Sequence, residues 1–141
     1  MKDLFNNIHP ARAISPQVAK TDNTPFVSQI IAMKGFQSLT WLIVTGSLAD
    51  ADATFTVLAE HGDDPALADA AAVPDDLLLG TEVLAGFRFD DDNKVRKLGY
   101  VGHKPYVRLT ITPANNTGDA YVAAIALLGH PLMSPTPNPP A

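Results

Sequence analysis

The chain contains no cysteine, which excludes thiolate zinc sites, iron–sulfur clusters, a cysteine nucleophile and any disulfide framework, and leaves the redox compartment undecided. Positive charge is scarce as well, with 10 Lys and Arg against 15 Asp and Glu and a formal net charge of −5. Without the summed positive field that draws phosphate, nucleic acid is not an expected partner, and an anionic membrane is disfavoured for the same reason. Long hydrophobic runs are also missing. The longest, Leu39 to Val44 with Trp41 inside it, is far short of the roughly 20 residues that cross a bilayer and reads as a buried strand. The N-terminal stretch MKDLFNNIHPAR carries polar residues where an export signal would be apolar, so a protein made in a cytoplasm is expected.

What is present suffices for one domain. The 141 residues are 46% hydrophobic, and a chain of this length buries somewhat under ~70% of its unfolded surface without metals or disulfides. Residues 1–24 mix Asn, Pro, Ser, Thr and Asp with isolated apolar residues that follow neither a 3.6 nor a 2.0 period, and are read as an extended arm. Large apolar side chains on an arm are costly in water, so Leu4, Phe5, Ile8 and Ile14 are candidate partner-binding residues, lying on the domain or on a neighbouring subunit. Residues 130–141, HPLMSPTPNPPA, are rich in proline, which neither donates to a sheet ladder nor continues a helix, and are expected to form an extended tail.

Between these ends, residues 25–129 alternate. Phe55, Val57 and Ala59 oppose Thr54, Thr56 and Glu60, and Val107, Leu109 and Ile111 oppose Tyr106, Arg108, Thr110 and Thr112, the period-2 pattern of half-buried strands. Further strands are expected over 26–33, 38–45, 94–101 and 121–128, with a short one over 86–89. Gly35, Gly46, Gly62-Asp63-Asp64-Pro65, Gly80, Asp90-Asp91-Asp92-Asn93, Gly102 and the stretch 113–118 supply turns. The expected fold is all-β, an antiparallel, jelly-roll-like sandwich of about six to eight short strands. The segment 64–72 reads equally as two helical turns, with Asp64 as N-cap and Pro65 behind it, or as an ordered loop.

Signals of chemistry are few. His9, His61, His103 and His130 show no HxH or HxxxH spacing that would aim two imidazoles at one ion. Asp90–Asp92 concentrate carboxylate oxygens but lack the alternate ligands, central glycine and closing glutamate of an EF-hand, so a solvated hairpin turn is expected. The pairs Asp63/Asp64 and Asp75/Asp76 are adjacent in sequence, where side chains diverge instead of opposing each other as an acid–base pair does. No nucleophile elbow, Walker loop or dinucleotide glycine set occurs, and the stretch 99–104 is too short for a phosphate loop. The expectation is therefore no enzyme, no cofactor and no metal. Asn115-Asn116-Thr117 fits a glycosylation acceptor but reads as a turn in an unexported chain. Trp41 is expected in the core. Tyr100, Tyr106 and Tyr121 open or close strands, where exposed rings would serve carbohydrate binding. Arg96, Lys97, Lys104 and Arg108 form the one basic cluster, either a solvated sheet face or a patch for an acidic partner, with Arg96 and Arg108 its leading candidates.

The strings ADATFTVLAEHGDD (51–64), LLGTE (78–82), KVRKLGYVGHKPYVRLTITPANNTG (94–118) and ALLGHPLMSP (126–135) resemble a family of small proteins from the head module of tailed bacteriophages and prophages. The resemblance covers about residues 36–135, and G-Y-V-G-x-K-x-Y-V-R is its most specific part. The alanine-rich 66–73 and the proline-rich end depart from it. It implies a virion structural protein on the capsid surface, made in the bacterial host cytoplasm. A decoration, or cement, protein bound to the major capsid protein as a homo-oligomer is the leading expectation, with a trimer guessed from the local threefold axes of a capsid lattice. Two alternatives stay open, a head–tail joining or tail-terminator protein and a carbohydrate-binding β-sandwich. The resemblance carries no site residues with it.

Overall fold

Eleven strands form among residues 2–140, the part of the chain that the computed structural model describes. They are β1 (Ile8–Ile14), β2 (Phe26–Val27), β3 (Ile31–Ala32), β4 (Phe36–Leu48), β5 (Thr54–Gly62), β6 (Ala71–Ala72), β7 (Leu78–Leu79), β8 (Phe87–Arg88), β9 (Val95–Tyr100), β10 (Tyr106–Ala114) and β11 (Ala120–Pro131), with one short helix, α1 (Glu82–Ala85). Two antiparallel sheets face each other. The first has the order β1-β11-β4-β9-β7; the second has β2-β10-β5-β6, with β3 also on β10 and β8 also on β5. The architecture is the expected jelly-roll-like sandwich, but with more strands than six to eight.

The extra strands have local causes. Segment 26–33 breaks in two because Ser28 and Gln29 turn to different neighbours: the Leu109 N–H donates to Ser28 Oγ, while the Gln29 N–H donates to the Ala13 carbonyl of β1. The segment 64–72 is not helical. Asp64 Oδ2 accepts from the Ala66 and Ala68 N–H groups, and the Asp69 carboxylate accepts from those of Asp63 and Asp64, which closes a tight loop before β6 joins β5 at Glu60 and His61. The chain's helix falls instead at Glu82–Ala85, capped by Thr81 Oγ1, which accepts the Leu84 N–H at 3.0 Å. A four-residue helix is too short to show a 3.6-residue period.

The arm and the tail both engage the domain. Ile8–Ile14 is the edge strand of the first sheet, paired along β11 with a bulge between Arg12 and Ile14. Asn116, the middle residue of the glycosylation-like triplet, is buried, and its amide donates to the Lys20 and Asp22 carbonyls; Asn115, the triplet's acceptor position, is exposed. In the tail, the Thr136 N–H donates to the Asn6 carbonyl at 3.0 Å and its hydroxyl to that of Ile8. Leu39, Trp41, Ile43, Leu98, Tyr100, Val107, Leu109 and Ile111 fill the space between the sheets. Trp41 takes the core position expected of it.

Candidate functional site

The two outer surfaces of the sandwich have opposite chemistry, and the strand register shows why. In the second sheet, Thr54, Thr56, Thr110 and Thr112 face outward with Tyr106, and Arg108 bridges to Glu60 across the β5–β10 pair at 3.0 Å. Hydroxyls and a closed ion pair keep most of this face content in water, with Leu58 and Val27 its exposed apolar residues. In the first sheet, successive rows across the strands read Pro10–Leu127–Thr40–Gly99–Leu79, then Arg12–Ile125–Leu42–Lys97, then Ala123–Val44–Val95. Ile8, Gly129 and Ser38 lie above these rows and Tyr121 and Gly46 below them. None of these positions is acidic.

This outer face is apolar and open. Val44, Val95, Ile125, Tyr121 and Leu79 are all exposed, Val95 and Leu79 at 62% and 60%. It extends at two corners. Leu79, Val95 and Thr40 share a depression with Leu84 of α1, while Thr40, Leu127 and Ile8 share another with Leu4. Its charges are two, the Arg12 guanidinium, turned aside to the neutral oxygens Ser15 Oγ and Gln29 Oε1, and the exposed Lys97 amine. The cause lies in the sequence. Strands β4 and β11 carry apolar residues at both parities, where a half-buried strand would alternate. One parity fills the core, and the other lies on the surface.

The candidate partner residues are scattered. Leu4 and Phe5 are exposed on a 3-10 turn, Phe5–Asn7, that precedes β1, and Ile8 opens β1. Ile14 is a correction: at 8% exposure it belongs to the core, because the bulge after Arg12 turns it inward beside Ala13. The basic cluster does not hold together either. Arg96 lies in the first sheet, bound to Asp91 at 2.9 Å and to the Gly86 carbonyl, whereas Arg108 lies in the second and is bound to Glu60. Lys104 is held by Asp63 at 2.8 Å. Proximity in sequence became separation in space because the chain crosses between sheets at 101–105. Asp91, expected in a solvated turn, is half-buried and also accepts the Arg88 N–H.

Tyr100 is the second correction, since its ring is fully buried and presents nothing to a sugar. Its hydroxyl meets His61 Nδ1 at 2.8 Å and accepts the Lys104 N–H at 3.1 Å. Burial holds the His61 imidazole below the ordinary histidine value, the Lys104 charge adds to this, and Asp63 and Asp69 oppose it. Burial raises the Tyr100 phenol. This pair closes one end of the core and contacts no groove.

An open groove of about 400 Å³ runs beside β5 between α1 and β8, lined by Thr56, Val57, Glu82, Val83, Phe87 and Arg88. One Glu82 oxygen is occupied by the Ala59 N–H at 2.7 Å. Among the described residues, no three His, Asp or Glu side chains gather to hold a metal, and no helix is long and apolar enough to cross a membrane.

No family model and no curated protein matches the chain. Solved structures align with most of the chain at TM-scores below 0.5. This is a small all-β sandwich. A Clostridium thermocellum endo-1,4-β-D-xylanase structure of a carbohydrate-binding module joined to a catalytic module, complexed with xylohexaose, aligns with 95% of this chain at 11% identity and a TM-score of 0.49, the chain spanning 28% of that one. The SPBc2 prophage-derived protein YomS aligns over 89% of this chain and 99% of its own, at 13% identity and 0.49. A family 35 carbohydrate-binding module from an environmental isolate aligns over 92% and 91%, at 12% and 0.46. Likeness at this level concerns the fold, and no ligand or partner is carried over from it.

Proposed function

We propose that this protein is a non-catalytic docking module, a structural subunit of a tailed-phage particle that assembles through the outer face of its first sheet. The observation that carries the reading is that face itself. An apolar sheet surface that crosses all five strands without a carboxylate is what a protein interface needs and what a freely dissolved sandwich avoids. The resemblance over residues 36–135 supplies the setting, and capsid decoration is the role that gives such a module many copies to assemble with. The test is the copy number in purified particles, by quantitative mass spectrometry against the major capsid protein. A ratio near one to one, or a simple lattice fraction of it, is the expected result. A dozen copies or fewer would replace decoration with a head–tail joining or tail-end role, and absence would overturn the particle reading.

A second reading rests on the opposite face. Tyr106 stands there next to the Glu60–Arg108 pair, with the outward threonines farther along β5 and β10, and a carboxylate and a guanidinium beside one ring suit a sugar. With Tyr100 in the core and Tyr121 on the other sheet, a single ring carries this reading, which makes it the weaker of the two. Glycan-array binding that is lost in Tyr106→Ala, with the fold intact by circular dichroism, would establish it.

A further inference from the structure

We infer that the occupant of the first sheet's outer face is a second copy of this chain, packed sheet on sheet about a two-fold axis. The inference rests on reading that face as the docking surface, and it goes further by naming what covers it. Three observations select the second copy.

The first is size. Strands about 4.8 Å apart, rising about 3.4 Å per residue, make the face roughly 27 Å along Ser38–Gly46 and 24 Å across where all five strands are present; because β1, β9 and β7 are shorter than β4, it covers about 550 Å² in projection. Leu4 and Leu84 lengthen it at opposite corners. This lies at the upper end of the ~300–600 Å² of the largest apolar patch on a typical monomer, and the two corners move it toward the ~800 Å² per partner of a stable interface.

The second is charge. The chain carries 15 acidic residues and a net charge of −5, yet none of the acidic residues is on this face. Two copies meeting here bring no carboxylate against another. Lys97 sits on β9, next to the two-residue β7, where its long stem carries the amine past that short edge into water. A partner recognised by charge would call for more than one free amine.

The third is shape. Ser38, Thr40, Gly46, Gly99, Ala123 and Gly129 keep the face low between its larger side chains. Two flat sheets pack about 10 Å apart with strands near-aligned. Two such faces meeting about a two-fold axis make an isologous pairing, which closes at two chains. The opposite face, with its threonines and its Glu60–Arg108 pair, offers no second sheet surface on which association would continue.

The test is sedimentation equilibrium on the full chain, native and as Leu42→Glu and Ile125→Glu, with circular dichroism to establish that each variant folds. The expected result is a two-chain species, weakened about ten-fold or more by either glutamate. Because the chain has no cysteine, Thr40→Cys introduces a lone thiol, and a short bis-maleimide should join two such chains but not two Thr112→Cys chains, whose thiols lie on the other sheet. This second arm decides the matter even where a glutamate variant fails to fold. A single-chain or three-chain species, or equal cross-linking at both positions, would overturn the inference. A native monomer whose Leu42→Glu form is lost from particles would overturn the second copy while leaving the face as the docking surface. Particle incorporation unaffected by Leu42→Glu and Ile125→Glu, with the native chain monomeric, would defeat both readings.

Discussion

At the scale of single residues, the most informative group is the His61–Tyr100 pair. Burial lowers the pKa of the imidazole in the fold, which favours its neutral form. The unfolded chain therefore binds a proton near pH 6.5 that the folded chain refuses until lower pH. Stability from this group is fully present above about pH 6.5 and falls as the pH drops from there toward the lowered folded value. Thermal melts at steps between pH 7.5 and 5 should show a declining melting temperature across this range, with a shallower decline in His61→Gln; equal slopes would assign the acid sensitivity to other groups. Tyr100→Phe keeps the ring and removes the hydroxyl that serves both His61 and the Lys104 N–H. Leaving buried polar groups unpaired costs ~1–3 kcal/mol, read directly in urea unfolding. Asn116→Ala should cost a similar amount, because the Asp22 carbonyl loses its donor and the Lys20 carbonyl keeps only the Ala120 N–H, and hydrogen exchange should rise at the Lys20 amide, which pairs with Ala120.

At the scale of elements, β11 shows what the sheet faces require. Ala124 points into the core at 1% exposure, and Ile125, its neighbour, points out at 41%. Ala124→Glu should unfold the domain or cost ~3–5 kcal/mol as an uncompensated buried charge, whereas Ile125→Glu, compared at a protein concentration low enough that the native chain is single too, should shift stability by no more than about 0.5 kcal/mol. Urea titrations of the two variants check both. Comparable losses would mean that the outer face belongs to the chain's own core. The same parity explains how much was legible. Strict alternation in 54–60 and 106–112 announced β5 and β10 with their inward faces, and turn residues placed most of the breaks. In 38–45 and 121–128 both parities are apolar, so the strands were evident but the surface they leave open was not. Ile14 was misplaced by a bulge, which no pattern of hydrophobicity predicts.

At the scale of the whole molecule, the ends of the chain are fastened to each other. Thr136 is bonded to Asn6 and Ile8, so arm and tail form one corner beside Leu4 and Phe5. Removing residues 2–20 would strip β1 from β11 and expose a sheet edge, which makes that deletion a test of folding. Removing residues 2–5 instead takes away Leu4 and Phe5, and keeps β1 and the Thr136 bonds. Occupancy on purified heads should fall for this shorter deletion, with melting temperature little changed. Unchanged occupancy would remove the chain's start from the docking surface.

The sequence by itself determined the class of this protein: a sandwich of antiparallel strands with Trp41 inside, no thiol chemistry and no excess of positive charge. These follow from composition and from a period of two, which are local properties. Only the tertiary structure decided that Arg96 and Arg108 part to different sheets, that Tyr100 is buried with His61, and that Leu42, Val44, Val95 and Ile125 form one apolar face. Each of those outcomes depends on which strands become neighbours. Neighbours far apart in sequence are chosen by packing and register across the whole chain, which no local window contains.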